Sequence, residues 1–274
     1  MADRISLSYQ PPGETLRAFR ASDAFARALI GPMQGGRRTC AVHDIMLRAA
    51  FGSQRRWRWV VVRADRTLLD EQTIAAWHRW VPASIGTWDA RALRHQIAFV
   101  VGGKPRDLDI QLFAWDTPDH RRRLATIEAT GFWLDGAREL DESVFDRALD
   151  AAGLWPVDEP PAGLVICTSR MPASDHWLAR RRELAMFRQP GGRSPQAENL
   201  QHLKPGFYQR AAARRSADRV RVEIDAEFGV SAVAIAEARR LREDVLGRLG
   251  RLDEAMQARL AELRAAAQRR DAAA

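Results

Sequence analysis

The chain has 274 residues, of which 46% are hydrophobic, and it carries a formal net charge of +8. This length and apolar content allow one large domain or two small ones with a packed core, and they argue against wholesale disorder. No apolar run reaches the about 18 residues of a membrane span, and the N-terminus lacks the apolar segment of a secretory signal, so we expect a cytoplasmic protein. Cys40 and Cys167 lack metal-ligand spacing and are expected to be buried thiols in a reducing compartment.

Arginine supplies nearly all of the positive charge, because Lys104 and Lys204 are the only lysines. A basic chain favours a polyanionic partner such as double-stranded DNA. An arginine-rich proteome would produce the same composition without any such partner. The arginines are spread along the chain, with clusters at 55–59, 121–123, 180–182 and 214–215.

The first elements surround a glycine-rich loop. Ser22–Ile30 is predicted to be a helix or turn, and the loop GPMQGGRR follows it. Apolar residues at helical spacing predict a helix over Thr39–Ala50. The run WRWVVV predicts a buried parallel strand over Trp57–Val62.

Strands and helices then alternate, which predicts an α/β fold: a mostly parallel sheet with flanking helices on both faces. We expect loops at 156–163 and 188–206, where proline and glycine are frequent. The predicted helices are Glu71–Trp80 and Glu142–Ala152, and the predicted strands are His95–Val101, Asp109–Ala114, Thr130–Leu134, Leu164–Thr168 and Arg221–Glu227.

The glycine-rich loop partly fits a phosphate-binding frame. A phosphate loop needs glycines so that backbone amides can surround a phosphate, a lysine for the outer phosphates, and a hydroxyl for Mg²⁺. Gly31 and Gly36 fit the frame, but Arg37 and Arg38 stand where the lysine and the hydroxyl belong. By itself this loop is a weak indication of nucleotide binding.

Several ordered motifs strengthen that indication. Tyr9–Pro11, Phe19–Ser22 and the loop are followed by Arg63, Leu69, Thr73, Ile74, Trp77 and Trp80, and then by FRQPGGRSPQAENLQHL at 187–203 and RVRVEIDAEFG at 219–229. In this order and spacing, the chain resembles the ATPase half of phage terminase large subunits, the DNA-packaging motors. The resemblance covers Tyr9 to Gly229 and implies a P-loop fold of the terminase ATPase type in a phage or prophage packaging system, acting in the cytoplasm of a bacterial host.

The resemblance implies an ATP site on the loop, formed by Gly31, Gly35, Gly36, Arg37, Arg38 and Thr39. It also places the metal-binding carboxylate of a following strand at Asp135. Arg38 replaces the family's Mg²⁺-binding hydroxyl, and Thr39 would have to take over as a metal ligand.

The water-activating glutamate of the family corresponds to Gly136. Glu139, about one turn further on, is the candidate to substitute for it. The family's Thr-Asn-Pro-Pro segment survives only as Thr168 and Ser169, followed by RMPASD. The resemblance therefore implies ATP and Mg²⁺ as cofactors, with hydrolysis in doubt.

The sequence after Gly229 departs from the family. Instead of the clustered aspartates of the family's nuclease domain, it has a helical stripe of Leu241, Val245, Leu249, Leu252, Met256, Leu260 and Leu263. We therefore predict a terminase-like ATPase domain over 1–230 and a C-terminal helical extension over 231–274. The stripe is compatible with packing on its own domain and equally with self-association or docking to a partner.

Two functions remain open at this stage. The first is a packaging ATPase domain that binds nucleotide and double-stranded DNA, with the terminase small subunit, the portal or further copies of itself as partners. The second is a non-enzymatic accessory or regulatory protein that docks into a packaging complex through its C-terminal helix.

The remaining histidines and tryptophans are given structural roles. His43, His78, His95 and His120 form no ligand pattern and are expected at the surface or at helix ends. The tryptophans are expected mainly in the core. Trp57 and Trp59, which stand among arginines, are also candidates for DNA contact.

Overall fold

The computed structural model describes residues 9–230 together with residues 240, 241, 243, 245 and 256. Its centre is one eight-stranded sheet. The strands are β1 (Ala26–Ile30), β2 (Arg56–Arg63), β3 (Thr87–Asp89), β4 (Arg94–Val101), β5 (Lys104–Ala114), β6 (Gly131–Asp135), β7 (Leu164–Ser169) and β8 (Ala185–Arg188).

The sheet is mostly parallel. Its order is β3-β4-β5-β2-β6-β7-β1-β8, and the six strands from β5 to β8 in this order run parallel. β3 and β4 extend one edge as antiparallel strands, and Gly102 and Gly103 make the tight turn between β4 and β5. The prediction of a mostly parallel sheet with flanking helices is confirmed.

Helices connect the strands and cover the sheet. The α-helices are α1 (Glu14–Ala21), α2 (Arg37–Phe51), α3 (Arg66–Leu68), α4 (Ala75–Trp80), α5 (Pro118–Leu124), α6 (Glu142–Ala151), α7 (Trp177–Arg180), α8 (Phe207–Ala212) and α9 (Ala217–Glu223). A π-helical segment, Leu69–Ile74, joins α3 to α4, and short 3₁₀ turns follow at Ala137–Glu139 and Leu200–His202.

Two apolar cores lie on opposite faces of the sheet. One is built around α1, α2 and α4, with Trp59, Trp77 and Trp133 among its members. The other is built around α6 and α7, with Phe132 and Phe145. Because both faces are covered, every residue of β1, β6 and β7 is buried.

Two sequence predictions of secondary structure are wrong. Ser22–Ile30 was predicted to be a helix or turn, but its last five residues form strand β1. The charged Arg27 interrupts the apolar run and so hid the strand. In the structure Arg27 is buried in an ion pair with Asp44 at 2.7 Å. The segment Arg221–Glu227, predicted to be a strand, is not a strand in the structure, and its first three residues are the end of α9. Its alternating polar and apolar residues suggested a strand, but the positions that pack inward are Val220, Glu223 and Ile224, which have helical spacing.

The expectation that the four histidines lie at the surface is wrong for two of them. His43 and His95 are buried, and His95 accepts a hydrogen bond from Trp77 Nε1 at 2.8 Å. Trp57 and Trp59 are also buried, so they are core residues and not a surface for DNA. Both cysteines are buried and reduced, as predicted.

The contacts of the chain divide it into two units, 1–229 and 230–274. In the second unit, Val230 is described and lies in neither a helix nor a strand, and the other described residues, Arg240, Leu241, Glu243, Val245 and Met256, are helical. The rest of the predicted apolar stripe lies outside the described residues. Within the part of the chain that is described, none of the helices has the length and apolar character that crossing a membrane requires.

Candidate functional site

A cleft of about 500 Å³ opens where β1, β6 and β7 end. In parallel α/β sheets, ligands bind at the carboxyl ends of the strands. The loop after β1, the end of β6 and the end of β7 all contribute residues to this cleft. All of the predicted site residues except Gly31 line it: Gly35, Gly36, Arg37, Arg38, Thr39, Asp135 and Glu139.

The loop between β1 and α2 has the backbone features of an anion site. Gly36 has a positive φ of 80° immediately before the helix, a conformation that glycine adopts without strain. The first backbone hydrogen bond of the helix runs from the Cys40 N–H to the Gly36 carbonyl. The amides of Arg37, Arg38 and Thr39 therefore have no partner within the helix, and such amides attract anions.

The segment 187–203 holds this loop in place. Gln189 is buried beneath the loop, and its Oε1 lies 2.3 Å from the ideal Cβ position of Gly31, so no larger residue fits there. Three side chains from this segment and from α8 donate hydrogen bonds to loop carbonyls: Gln189 Nε2 to Gly35 at 2.9 Å, Asn199 Nδ2 to Gln34 at 2.6 Å and Tyr208 Oη to Met33 at 2.8 Å. Sequence reasoning did not assign these bracing roles, although the unbroken motif at 187–203 was the signal that pointed to them.

Asp135, at the end of β6, is buried and fully engaged by neighbouring side chains. Its Oδ2 accepts hydrogen bonds from Arg38 Nε and from Thr73 Oγ1, each at 2.6 Å, and its Oδ1 accepts one from Thr168 Oγ1 at 2.9 Å. Burial by itself would raise the pKa of Asp135. The guanidinium groups of Arg38 and Arg63, with these hydrogen bonds, outweigh burial and hold the pKa below its usual value.

Arg38 lies between the loop and Asp135, the two places from which the resemblance would draw metal ligands. Besides its bond to Asp135, it donates from Nη2 to Gln72 Oε1 at 2.7 Å. A guanidinium has no acceptor atom and repels cations, so this residue cannot serve as a metal ligand. Nor does any group of three His, Cys, Asp or Glu side chains among the described residues form a metal cluster. The donor set therefore does not fit Mg²⁺.

Arg37 folds back on its own loop. Its Nη1 hydrogen bonds to the Pro32 carbonyl, so part of its donor capacity is used by the protein. Burial and the neighbouring Arg38 lower the pKa of Arg37 to about 9, which still leaves it protonated at neutral pH. It contributes positive charge to the cleft, in a position and shape different from those of a lysine ammonium.

Gly136 and Arg63 fit together closely. Gly136 has φ 74° and ψ 38°, and an ideal Cβ built on it would lie 1.5 Å from Arg63 Nη1. Arg63 is buried; its Nη1 donates to the Asp135 carbonyl at 2.9 Å and its Nη2 lies 2.9 Å from Glu139 Oε2. The space into which a side chain at position 136 would extend is therefore filled by a cation.

Glu139 lines the cleft but is held by positive charge. Besides Arg63, it lies 3.8 Å from both Arg138 and Arg170. The Glu139 carboxylate is therefore engaged in ion pairs with protein side chains. Arg170 also reaches Glu223 at 2.9 Å, which connects the cleft to α9. Arg63 and Arg170 were not assigned to the site from the sequence: Arg63 was named only as part of a family motif, and nothing local distinguishes Arg170 from the many other arginines.

Comparison with known proteins gave matches at the level of structure only. No protein-family model and no curated protein matches the chain. The large terminase of a thermophilic bacteriophage matches with a TM-score of 0.67 and 12% identity, over 80% of this chain and 54% of that one. The ATPase domain of the large terminase of Thermus phage P74-26 matches with a TM-score of 0.55 and 15% identity, over 81% and 95% of the two chains.

The large terminase of bacteriophage HK97 matches with a TM-score of 0.54 and 8% identity, over 78% of this chain and 50% of that one. Our chain thus spans about half the length of the two whole terminases. The thermophilic phage protein has also been solved with ADP and with ATP-γ-S. With its parallel sheet, its glycine loop and the carboxylate at the end of β6, the chain has the fold of the ATPase domain of phage large terminases.

Proposed function

We propose that this chain is a domain of a phage or prophage DNA-packaging system that binds a nucleoside triphosphate in the cleft and DNA on its surface, without efficient hydrolysis. The observation that carries the proposal is the ion pair between Arg38 Nε and Asp135 Oδ2 at 2.6 Å. It lies inside the cleft, between the glycine loop and the carboxylate at the end of β6, where the family resemblance would put the catalytic metal.

Nucleotide binding is supported by the backbone of the loop and by its bracing. Arg37, Arg38 and Thr39, whose amides begin α2, line the cleft, and Gln189, Asn199 and Tyr208 hold the loop carbonyls by hydrogen bonds. The likeness to a terminase solved with ADP and ATP-γ-S points the same way. ATP is accordingly the nucleotide we propose for this cleft.

Poor hydrolysis follows from what the cleft lacks. Phosphoryl transfer depends on positioning and on charge stabilisation by metal ions. Here Arg38 excludes the metal, Gly136 cannot position a water, and Glu139 is bound to Arg63. Removal of a general base typically costs about 10²–10⁴-fold in rate, and here the metal site is altered as well.

DNA as a partner is supported by the net charge of +8. The arginine cluster at 55–59 offers little unpaired positive charge to DNA, because Arg55, Arg56 and Arg58 are each paired with nearby carboxylates. The terminase small subunit, the portal and further copies of the chain are the protein partners that a packaging role suggests, in the cytoplasm of a bacterial host.

A second candidate is a non-enzymatic accessory protein derived from such a domain. The fit of Arg63 against Gly136 favours it, since this contact replaces a catalytic side chain by a structural one. In this role the domain would be a scaffold and the C-terminal helix its means of docking.

An ATPase assay with and without DNA separates the two candidates. We expect turnover of the parent chain far below the ~1–100 s⁻¹ of phosphoryl-transfer enzymes. The combined reversion Arg37→Lys, Arg38→Ser and Gly136→Glu should raise turnover only when Arg63→Ala is added, because Arg63 fills the space of the new glutamate.

Single reversions serve as controls and should do little, since these residues act as one unit. A parent chain that hydrolyses ATP within the ordinary range would contradict impaired hydrolysis. A quadruple variant that folds, binds ATP and remains inactive with DNA would favour the accessory role.

A further inference from the structure

The cleft is lined by more positive than negative side chains. Five arginines stand against three carboxylates: Arg37, Arg38, Arg63, Arg79 and Arg170 against Glu71, Asp135 and Glu139. Asp135 is paired with Arg38 and Glu139 with Arg63, while Arg170 is paired with Glu223, which leaves Arg37 and Arg79 against Glu71. The remaining charge favours an anionic ligand that brings no cation with it.

Arg38 is fixed in an orientation that leaves its Nη1 nitrogen without a protein partner in the described part of the chain. Its Nε is held by Asp135 and its Nη2 by Gln72. Its Nη1 has no hydrogen-bond partner among the residues that the structure describes. The guanidinium is thus anchored by protein through Nε and Nη2, while both N–H groups of Nη1 remain unused by the described residues, on a side chain that lines the cleft in the first turn of α2.

From this arrangement we infer that the cleft binds the triphosphate group in its metal-free form, with the Arg38 guanidinium taking the charge-neutralising place of Mg²⁺. The inference rests on the proposed nucleotide binding and specifies its ligand. A guanidinium donates to phosphate oxygens directly and needs no metal to do so. The ligand chemistry is a chain of phosphates, whether in a nucleotide or in an inorganic polyphosphate.

Magnesium should then oppose binding. Complexed Mg²⁺ reduces the negative charge of the triphosphate and would sit close to the fixed charge of Arg38. At short range, and in a partly desolvated cleft, such like-charge contacts are strongly unfavourable. This is the reverse of an ordinary P-loop site, in which a hydroxyl ligates the metal.

The cleft also offers a matched control. Arg79 lines the same cleft, is exposed, and forms no ion pair within the described part of the chain. Arg79→Ser removes the same charge as Arg38→Ser but restores no hydroxyl beside Asp135. It should weaken binding of every triphosphate without changing the effect of Mg²⁺.

The test is calorimetric titration of the full-length chain with ATP and, separately, with inorganic tripolyphosphate, each in EDTA and in excess Mg²⁺. We expect both ligands to bind roughly tenfold more tightly in EDTA. In Arg38→Ser, Mg²⁺ should instead strengthen ATP binding, and thermal melting shows whether that variant is folded. If that variant is not folded, the affinities of the unaltered chain in EDTA and in Mg²⁺ still test the inference.

ATP binding to the unaltered chain that is lost in EDTA would overturn the inference while leaving nucleotide binding intact. ATP binding in EDTA with no binding of tripolyphosphate would also overturn it, because the nucleoside would then be the group recognised. Absence of binding by either ligand in both buffers would overturn this inference and the proposed function together.

Discussion

Replacing Gly136 by alanine tests whether Arg63 is locked against the end of β6. The new Cβ would lie 1.5 Å from Arg63 Nη1, so the guanidinium must move. In moving, it gives up its bond to the Asp135 carbonyl and its contact with Glu139, both at 2.9 Å. The backbone adds a second penalty, because Gly136 has φ 74°.

The two penalties can be estimated separately. A residue with a Cβ in the left-handed region costs roughly 1–2 kcal/mol. Loss of a buried hydrogen bond that involves a charged group costs about 1.5–3 kcal/mol. We therefore expect Gly136→Ala to lower the free energy of unfolding by roughly 2.5–5 kcal/mol. For a domain of this size each kcal/mol lowers Tm by about 2–4 °C.

Gly103→Ala is the matched control. Gly103 has φ 77°, and a Cβ there would meet nothing within 4 Å, so this variant carries only the backbone penalty. Thermal and urea unfolding followed by circular dichroism should show a clearly larger loss for Gly136→Ala than for Gly103→Ala. In the background of Arg63→Ala, the cost of Gly136→Ala should fall towards that of the control. Equal losses for the two glycine variants in the unaltered background would refute the close fit of Arg63.

Two further predictions concern the rest of the chain. Burial, helped by the nearby Arg20, lowers the pKa of His43 to about 4, so the folded state binds fewer protons than the unfolded chain between that value and about 6.5. Stability should fall as pH is lowered through this window, by up to about 3 kcal/mol from this residue. His43→Phe should reduce the pH dependence of urea unfolding, and an unchanged slope would contradict the assignment. If the apolar stripe packs on the remaining domain, removal of residues 231–274 should lower the Tm of that domain. If the stripe serves assembly, Tm should stay unchanged and light scattering should show that oligomers are lost. A truncated chain with the same Tm and the same mass in solution would show that the extension has neither role.

The fold class was predictable because it depends on local pattern. Apolar runs such as VVV at 60–62 and LVIC at 164–167 are buried on both faces of a parallel sheet, and they are visible in the sequence alone. The motif order was enough to indicate the terminase-like ATPase fold. The local pattern failed to predict β1, because this strand contains a charged residue, Arg27. Arg27 is buried there through its ion pair with Asp44, which no local pattern predicts.

The order of motifs in the sequence, through the family resemblance, determined which residues were assigned to the candidate site: the loop at 31–39 and Asp135. That the loop also follows a buried strand, β1, was not predicted, and it brings the loop to the same edge of the parallel sheet as Asp135. The sequence also established that Arg38 and Gly136 depart from the family. Only the tertiary structure decided which side chains lie where the family has its metal-binding hydroxyl and its water-activating glutamate. Arg38 turns onto Asp135, and Arg63, brought alongside β6 by the parallel pairing of β2, fills the space beside Gly136. These contacts join residues far apart in the chain, and their geometry depends on strand order and side-chain packing, which local sequence does not encode.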